Sequence, residues 1–149
     1  MEIKNSKILI TGGSLGIGKA TAKLLVESGA QVAITGRNKE RLQNAAKETG
    51  AFQIVADVSK KAAVKRTFGE FIDKYKKLDC LINNAGIGTS KKLEKLTLDD
   101  FRKVYAVNVF GAAIMAQKAA EIFRKQNYGH IINIGSTAAN KGYEKGTIY

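Results

Sequence analysis

Lys7-Ile8-Leu9-Ile10 runs directly into Thr11-Gly12-Gly13-Ser14-Leu15-Gly16-Ile17-Gly18, and a helical pattern follows. The first stretch is short, apolar and β-rich. Behind the glycines, Ala22, Leu25 and Val26 recur at helical spacing with Lys19, Lys23 and Glu27 between them. A strand, a glycine loop and a helix therefore follow one another. Glycines adopt positive φ and let backbone approach a ligand closely. The helix start behind them offers free N–H groups and a partial positive charge, which suit a diphosphate. The spacing is Gly-x-x-x-Gly-x-Gly rather than the commoner Gly-x-Gly-x-x-Gly. A glycine-rich turn without a ligand is the plain alternative.

The same alternation continues outward. Residues 31–35 read as a second buried strand, and 51–56 and 78–83 as a third and fourth. Asn38 suits the cap of a helix through Thr49, closed by Gly50. Ser59 is placed to cap a helix over 60–75, whose Val64, Phe68, Phe71 and Ile72 form an apolar, core-facing side. One long helix is expected over 98–126, opened by a Thr97/Asp100 capping box. Residues 130–134 give a fifth strand, and the remainder reads as loop. Five strands alternating with four helices predict an α/β fold with a Rossmann-like, doubly wound parallel sheet. The strands are continuously apolar, as in sheets covered on both faces. We expect a single dinucleotide-binding domain over 1–149.

Composition fits that reading. The chain has 149 residues, 44% hydrophobic and 26% charged, enough for one buried core. Nothing approaches the roughly 20 apolar residues of a membrane span, and the first residues do not read as a signal peptide. The single cysteine, Cys80, lies in an apolar run and is expected to be buried. Together these predict a cytoplasmic protein without disulfides. The net charge of +12 is spread over scattered lysines without interleaved aromatics, so we expect phosphate attraction rather than nucleic-acid binding. His130 has no Cys, His or carboxylate cluster around it, so no metal site is expected.

The end of the second strand reads Thr35-Gly36-Arg37-Asn38, with no carboxylate. A carboxylate there favours NAD, whereas an arginine accommodates the 2′-phosphate of NADP. Arg37 suits bidentate contact with that phosphate; a solvated residue at a helix start is the alternative. The expected cofactor is NADP(H) in preference to NAD(H).

Five motifs, in order, carry a family resemblance. Thr11 to Gly18 resembles the glycine loop of the short-chain dehydrogenase/reductase family. Asp57-Val58 resembles its adenine-contacting pair, and Asn83-Asn84-Ala85-Gly86 its Asn-Asn-Ala-Gly motif. Asn108 matches the asparagine of its long helix, and Ser136 its active-site serine. The closest flavour is that of 3-oxoacyl-carrier-protein reductases. The resemblance implies hydride transfer between nicotinamide and a small carbonyl or alcohol substrate. It implies a cofactor site of Gly12, Ser14, Leu15, Gly16, Ile17, Gly18, Arg37, Asp57, Val58, Asn84, Ala85 and Gly86. It also implies that Ser136 holds the substrate oxygen, that Asn108 holds a relay water through backbone or side chain, and that a tyrosine acts as acid or base. Tyrosine's own pKa is about 10, so it needs a nearby positive charge.

The family's tyrosine falls about thirteen residues after the serine, which is Tyr149. Tyr143 is the rival, but Thr147 rather than lysine stands four residues beyond it. The Tyr-x-x-x-Lys pair is thus cut after its first member. The expectation is a truncated reductase, with little turnover by this chain alone, or else a non-catalytic dinucleotide-binding module. An apolar fifth-strand edge and an uncovered helix face predict self-association into a homo-oligomer.

Overall fold

A computed structural model describes residues 1–142 and 144–149. Five strands form one parallel sheet: β1 (Lys7–Ile10), β2 (Gln31–Gly36), β3 (Phe52–Val55), β4 (Cys80–Asn83) and β5 (His130–Asn133). Their spatial order is β3-β2-β1-β4-β5. The expected Rossmann-like α/β architecture is therefore present. The chain leaves β1 toward β2 and β3 on one side and reaches β4 and β5 on the other. The order reverses between β1 and β4, and in open α/β sheets ligands bind outside the strand ends at such a switch point.

Alternation along each strand builds two cores. Leu9, Ala33 and Leu81 point to one face and pack against Val64, Phe68 and Phe71 of α3 (Lys61–Tyr75) and Met115 and Ala119 of α5 (Ala112–Gln126). Ile8, Ile10, Val32, Ile34, Cys80 and Ile82 point to the other face. There they meet Ala22 of α1 (Gly16–Glu27) and Leu42 and Ala45 of α2 (Lys39–Thr49). The Phe68/Phe71/Val64 stripe is thus core, as expected. Cys80 is buried, and that burial, with Asp79 beside it, pushes its thiol up to about 11. A neutral, enclosed thiol is a packing group rather than a nucleophile.

The helix ends follow the sequence at two places. Asn38 Oδ1 accepts from the Arg41 N–H, and Gly50 closes α2 with φ +75°. Thr97 and Asp100 form the expected capping box at the start of α4 (Leu98–Tyr105). Three expectations are corrected. Helix α1 starts at Gly16, inside the glycine loop rather than behind it. Ser59 does not cap α3, which starts after Lys60; its hydroxyl and amide both donate to Asp57 Oδ1. The predicted unbroken helix over 98–126 is interrupted by a π-helical segment, Ala106–Gly111. Such wide turns are rare and cluster at functional sites.

The outer strand is poorly covered. Ile131, Ile132 and Ile134 are 38%, 45% and 42% exposed, against 6% or less for Leu81 and Ile82 on the neighbouring strand.

Candidate functional site

The glycine loop is held from below by side chains just past the ends of β1 and β4. Thr11 Oγ1 accepts the N–H groups of Asn84 and Ala85, each at 3.0 Å. In return, Asn84 Nδ2 donates to the carbonyls of Thr11 and Gly12, each at 3.0 Å. The Gly13 N–H donates to the Thr35 carbonyl at 2.9 Å. These bonds consume the loop's inward polar groups. The first N–H groups of α1 have no intrahelical partner, and among the described residues no side chain caps this helix. That end of α1 faces the cleft at the switch point.

The glycines have different reasons to be glycine. A Cβ on Gly18 would collide with Asn84 Nδ2 and the Gly12 carbonyl. A Cβ on Gly12, where φ is +70°, would stand 2.8 Å from Ala85 Cα. Gly16 also has positive φ, +55°, but a Cβ there would meet nothing within 4 Å. Gly12 and Gly18 let two loops close on each other, and Gly16 keeps the surface open.

The cleft above this loop has a volume of about 720 Å³. Of the predicted cofactor residues, Gly12, Ser14, Leu15, Gly16, Ile17, Arg37, Asp57, Val58, Asn84, Ala85 and Gly86 all line it. Gly18 lies behind the lining, against Asn84. Asn84 lines the cleft too, although both contacts of its amide nitrogen go to the glycine loop. Sequence reasoning missed Thr35 and Arg41, which also line the cleft. Thr35 is 1% exposed, and its Oγ1 has no hydrogen-bond partner among the described residues. No sequence pattern announces such an orphan. Burial alone would raise the Asp57 pKa, but the Ser59 hydroxyl and amide, with the charges of Arg37 and Lys60, outweigh it and hold the carboxyl below its ordinary value.

A second cleft of about 750 Å³ shares Ile17 and the Asn84-Ala85-Gly86-Ile87 segment with the first. It gathers Asn108, Ser136 and Tyr149, the three predicted catalytic residues, from the π segment, the loop after β5 and the last described turn. The Asn108 side chain bonds one residue at both ends: Oδ1 accepts from the Ile87 N–H and Nδ2 donates to the Ile87 carbonyl, both at 2.9 Å. The second N–H of Nδ2 and the second lone pair of Oδ1 stay available on the cleft that Asn108 lines. Ser136 Oγ accepts from the Ala138 N–H and caps the short turn Thr137–Ala139. Tyr149 is half-exposed beside Gly88. Tyr143 lies outside the described residues. Among the described residues no cluster of His, Cys, Asp or Glu could hold a metal ion, and no helix is long and apolar enough to cross a membrane.

The sheet and its switch-point cleft define a Rossmann-like α/β protein. The chain belongs to the short chain dehydrogenase family, whose family profile matches residues 6–149. It is similar to an uncharacterized oxidoreductase of Listeria monocytogenes, 36% identical over 100% of this chain and 62% of that protein. It is also similar to the NADP-dependent 3-hydroxy acid dehydrogenase YdfG of Salmonella typhi, 34% identical over 95% of this chain and 58% of that protein. Among solved structures, a 3-ketoacyl-(acyl-carrier-protein) reductase from Brucella melitensis complexed with NADH superimposes with a TM-score of 0.93. That pair is 32% identical and covers 99% of this chain and 64% of the other. NAD+-bound xylitol dehydrogenase gives 0.90 at 32% identity, over 100% of this chain and 60% of the other. The chain thus spans roughly three fifths of the relatives it matches.

Proposed function

We propose that residues 1–149 form the coenzyme-binding domain of an NADP(H)-dependent oxidoreductase that transfers hydride to or from a small carbonyl or alcohol substrate. The observation that carries this reading is the switch-point cleft itself. Its floor is a glycine loop backed by an uncapped helix start, and its far end presents Arg37 where a carboxylate would favour NAD. The relatives' printed coenzymes differ, NADP for one and NADH or NAD+ for others, so the preference rests on Arg37.

The residues present fit a dinucleotide. Gly12 and Gly18 are packed too closely for a side chain, Gly16 is open, and the buried Thr35 hydroxyl has no partner among the described residues. The backbone amides of Ser14 to Gly18 would hold the diphosphate, Asp57 and Val58 the adenine, and Arg37 the 2′-phosphate. Asn84, Ala85 and Gly86 would border the nicotinamide end. The coenzyme supplies the hydride chemistry. In the second cleft Ser136 orients the substrate oxygen by hydrogen bonding, and Tyr149 exchanges its phenolic proton with that oxygen. Asn108 holds the loop that both clefts share. Self-association through the exposed β5 isoleucines and a cytoplasmic location complete the proposal.

Fluorescence titration with NADPH and NADH tests the binding half. We expect NADPH to bind more tightly and Arg37→Asp to abolish the difference. Failure of both coenzymes to bind the folded protein would overturn the reading. A panel of small carbonyl compounds tests the chemistry. Binding without turnover would reduce the proposal to a coenzyme-binding module.

A further inference from the structure

We propose that Arg41 is a second phosphate-selecting residue of the coenzyme cleft, acting with Arg37 on the 2′-phosphate of NADP(H). The inference rests on the coenzyme reading above and adds a specificity determinant to it.

Arg41 lies in the first turn of α2 and lines the same cleft as Arg37 and Asn38. Its backbone is fixed there, because its N–H donates to Asn38 Oδ1 at 2.8 Å. Among the described residues neither Arg37 nor Arg41 forms an ion pair, although eight such pairs occur elsewhere in the chain. Glu40, the acid in the same turn, does not line the cleft. Asp57, the acid that does, has one oxygen committed twice to Ser59. Two guanidinium groups therefore border one cleft without an ion pair among the described residues, and only Arg37 feels the charge of Asp57.

Two cationic side chains that line one cleft attract an anion into it. Guanidinium matches phosphate geometry and binds it with two parallel hydrogen bonds. The start of α2 adds its own partial positive charge at the same place. Thr35 borders the same cleft, and its buried hydroxyl has no partner among the described residues.

The probes are 2′,5′-ADP, which carries the 2′-phosphate, and 5′-AMP, which does not. Isothermal titration is run on wild type, Arg41→Ala, Arg41→Lys and the Arg37→Ala/Arg41→Ala double variant, each checked for an unchanged melting curve. We expect Arg41→Ala to weaken 2′,5′-ADP by roughly tenfold, the scale of one charged hydrogen bond, and to leave 5′-AMP within about twofold. Arg41→Lys keeps the charge but not the fork, so it falls between. The double variant binds both probes alike. An unchanged affinity for 2′,5′-ADP in Arg41→Ala, with wild type still preferring it, overturns this inference and leaves the coenzyme reading standing. An equal loss for both probes also overturns it, because Arg41 would then act on the loop and not on the phosphate. Wild type that binds neither NADPH nor NADH overturns the coenzyme reading, and this inference falls with it.

Discussion

Asn108 grips the backbone of Ile87 at both ends, accepting its N–H and donating to its carbonyl. The grip joins a helix to the loop that borders both clefts. It depends on the π segment, which carries Asn108 between α4 and α5. Gly111, in the same segment, packs against Val58, where a Cβ would stand 2.9 Å from Cγ2 and 3.2 Å from the carbonyl oxygen. The wide turn thus lets a helix approach Val58 on one side of the cleft while an amide reaches Ile87 on the other.

Asn108→Ala removes both bonds and leaves two partly buried backbone groups unpaired. The expected cost is about 2 kcal/mol, together with weaker coenzyme binding. Asn108→Asp keeps the acceptor but sets a carboxylate against the Ile87 carbonyl. Its defect should shrink as acid protonates the new carboxyl and restores a donor. Chemical denaturation of both variants across pH checks this, and equal defects at all pH values would count against the two-point grip.

Gly16→Ala and Gly18→Ala should separate binding from folding. At Gly16 the methyl group meets open space, and only the left-handed φ is strained, by about 1 kcal/mol. Coenzyme affinity should fall more than stability. At Gly18 the methyl group displaces Asn84 and unties it from the glycine loop. Stability should fall by about 2 kcal/mol or more, with binding lost alongside. Melting curves beside coenzyme titrations give the comparison.

Thr35→Val replaces the orphaned hydroxyl with a methyl group of the same shape. A buried oxygen without a partner costs about 1–3 kcal/mol. The ligand-free protein should therefore be as stable as wild type or more stable. If the hydroxyl serves a ligand, coenzyme binding should weaken at the same time. A less stable ligand-free variant would show that Thr35 has a partner within the fold.

Asp79 gives the chain an acid limb. Burial would raise its pKa, but the Tyr128 hydroxyl, the Lys7 amide and the Lys77 ammonium outweigh burial and hold it below the ordinary 3.8. Because the folded value is the lower one, this stabilisation is present above the unfolded value and is lost as pH falls through the folded one. Tyr128 is raised above 10.0, first by its bond to Asp79 and then by burial, so its share is present below the unfolded value and is lost as pH rises through the folded one. Asp79→Asn should flatten both limbs in denaturation measured from pH 2 to 11. Unchanged limbs would place the titrating groups elsewhere.

Much of this was legible in the sequence because local rules and tertiary structure agree. The apolar runs ending at Ile10 and Asn83, the Asn38 and Thr97 caps and the Gly50 stop each read correctly. Eleven of the twelve predicted cofactor residues line one cleft, because all follow strand ends that the parallel topology brings together. The failures have physical causes. Hydrophobic spacing cannot reveal a π turn, which arises where Gly111 meets Val58. Ser59 has a capping side chain, but Asp57 offers it a charged acceptor two residues away. Arg41 reads as a surface residue until α2 is placed beside β2. The orphaned state of Thr35 exists only in three dimensions.

The proposed function stands on the amides of the glycine loop holding the diphosphate of a nicotinamide coenzyme. Backbone amide chemical shifts, followed by NMR during titration with NADP+, test it most directly. The largest changes should fall at Ser14 to Gly18, with further changes at Arg37, Asp57, Val58 and Asn84 to Gly86. Shifts confined to other surfaces, or no saturable change at Ser14 to Gly18, would contradict it.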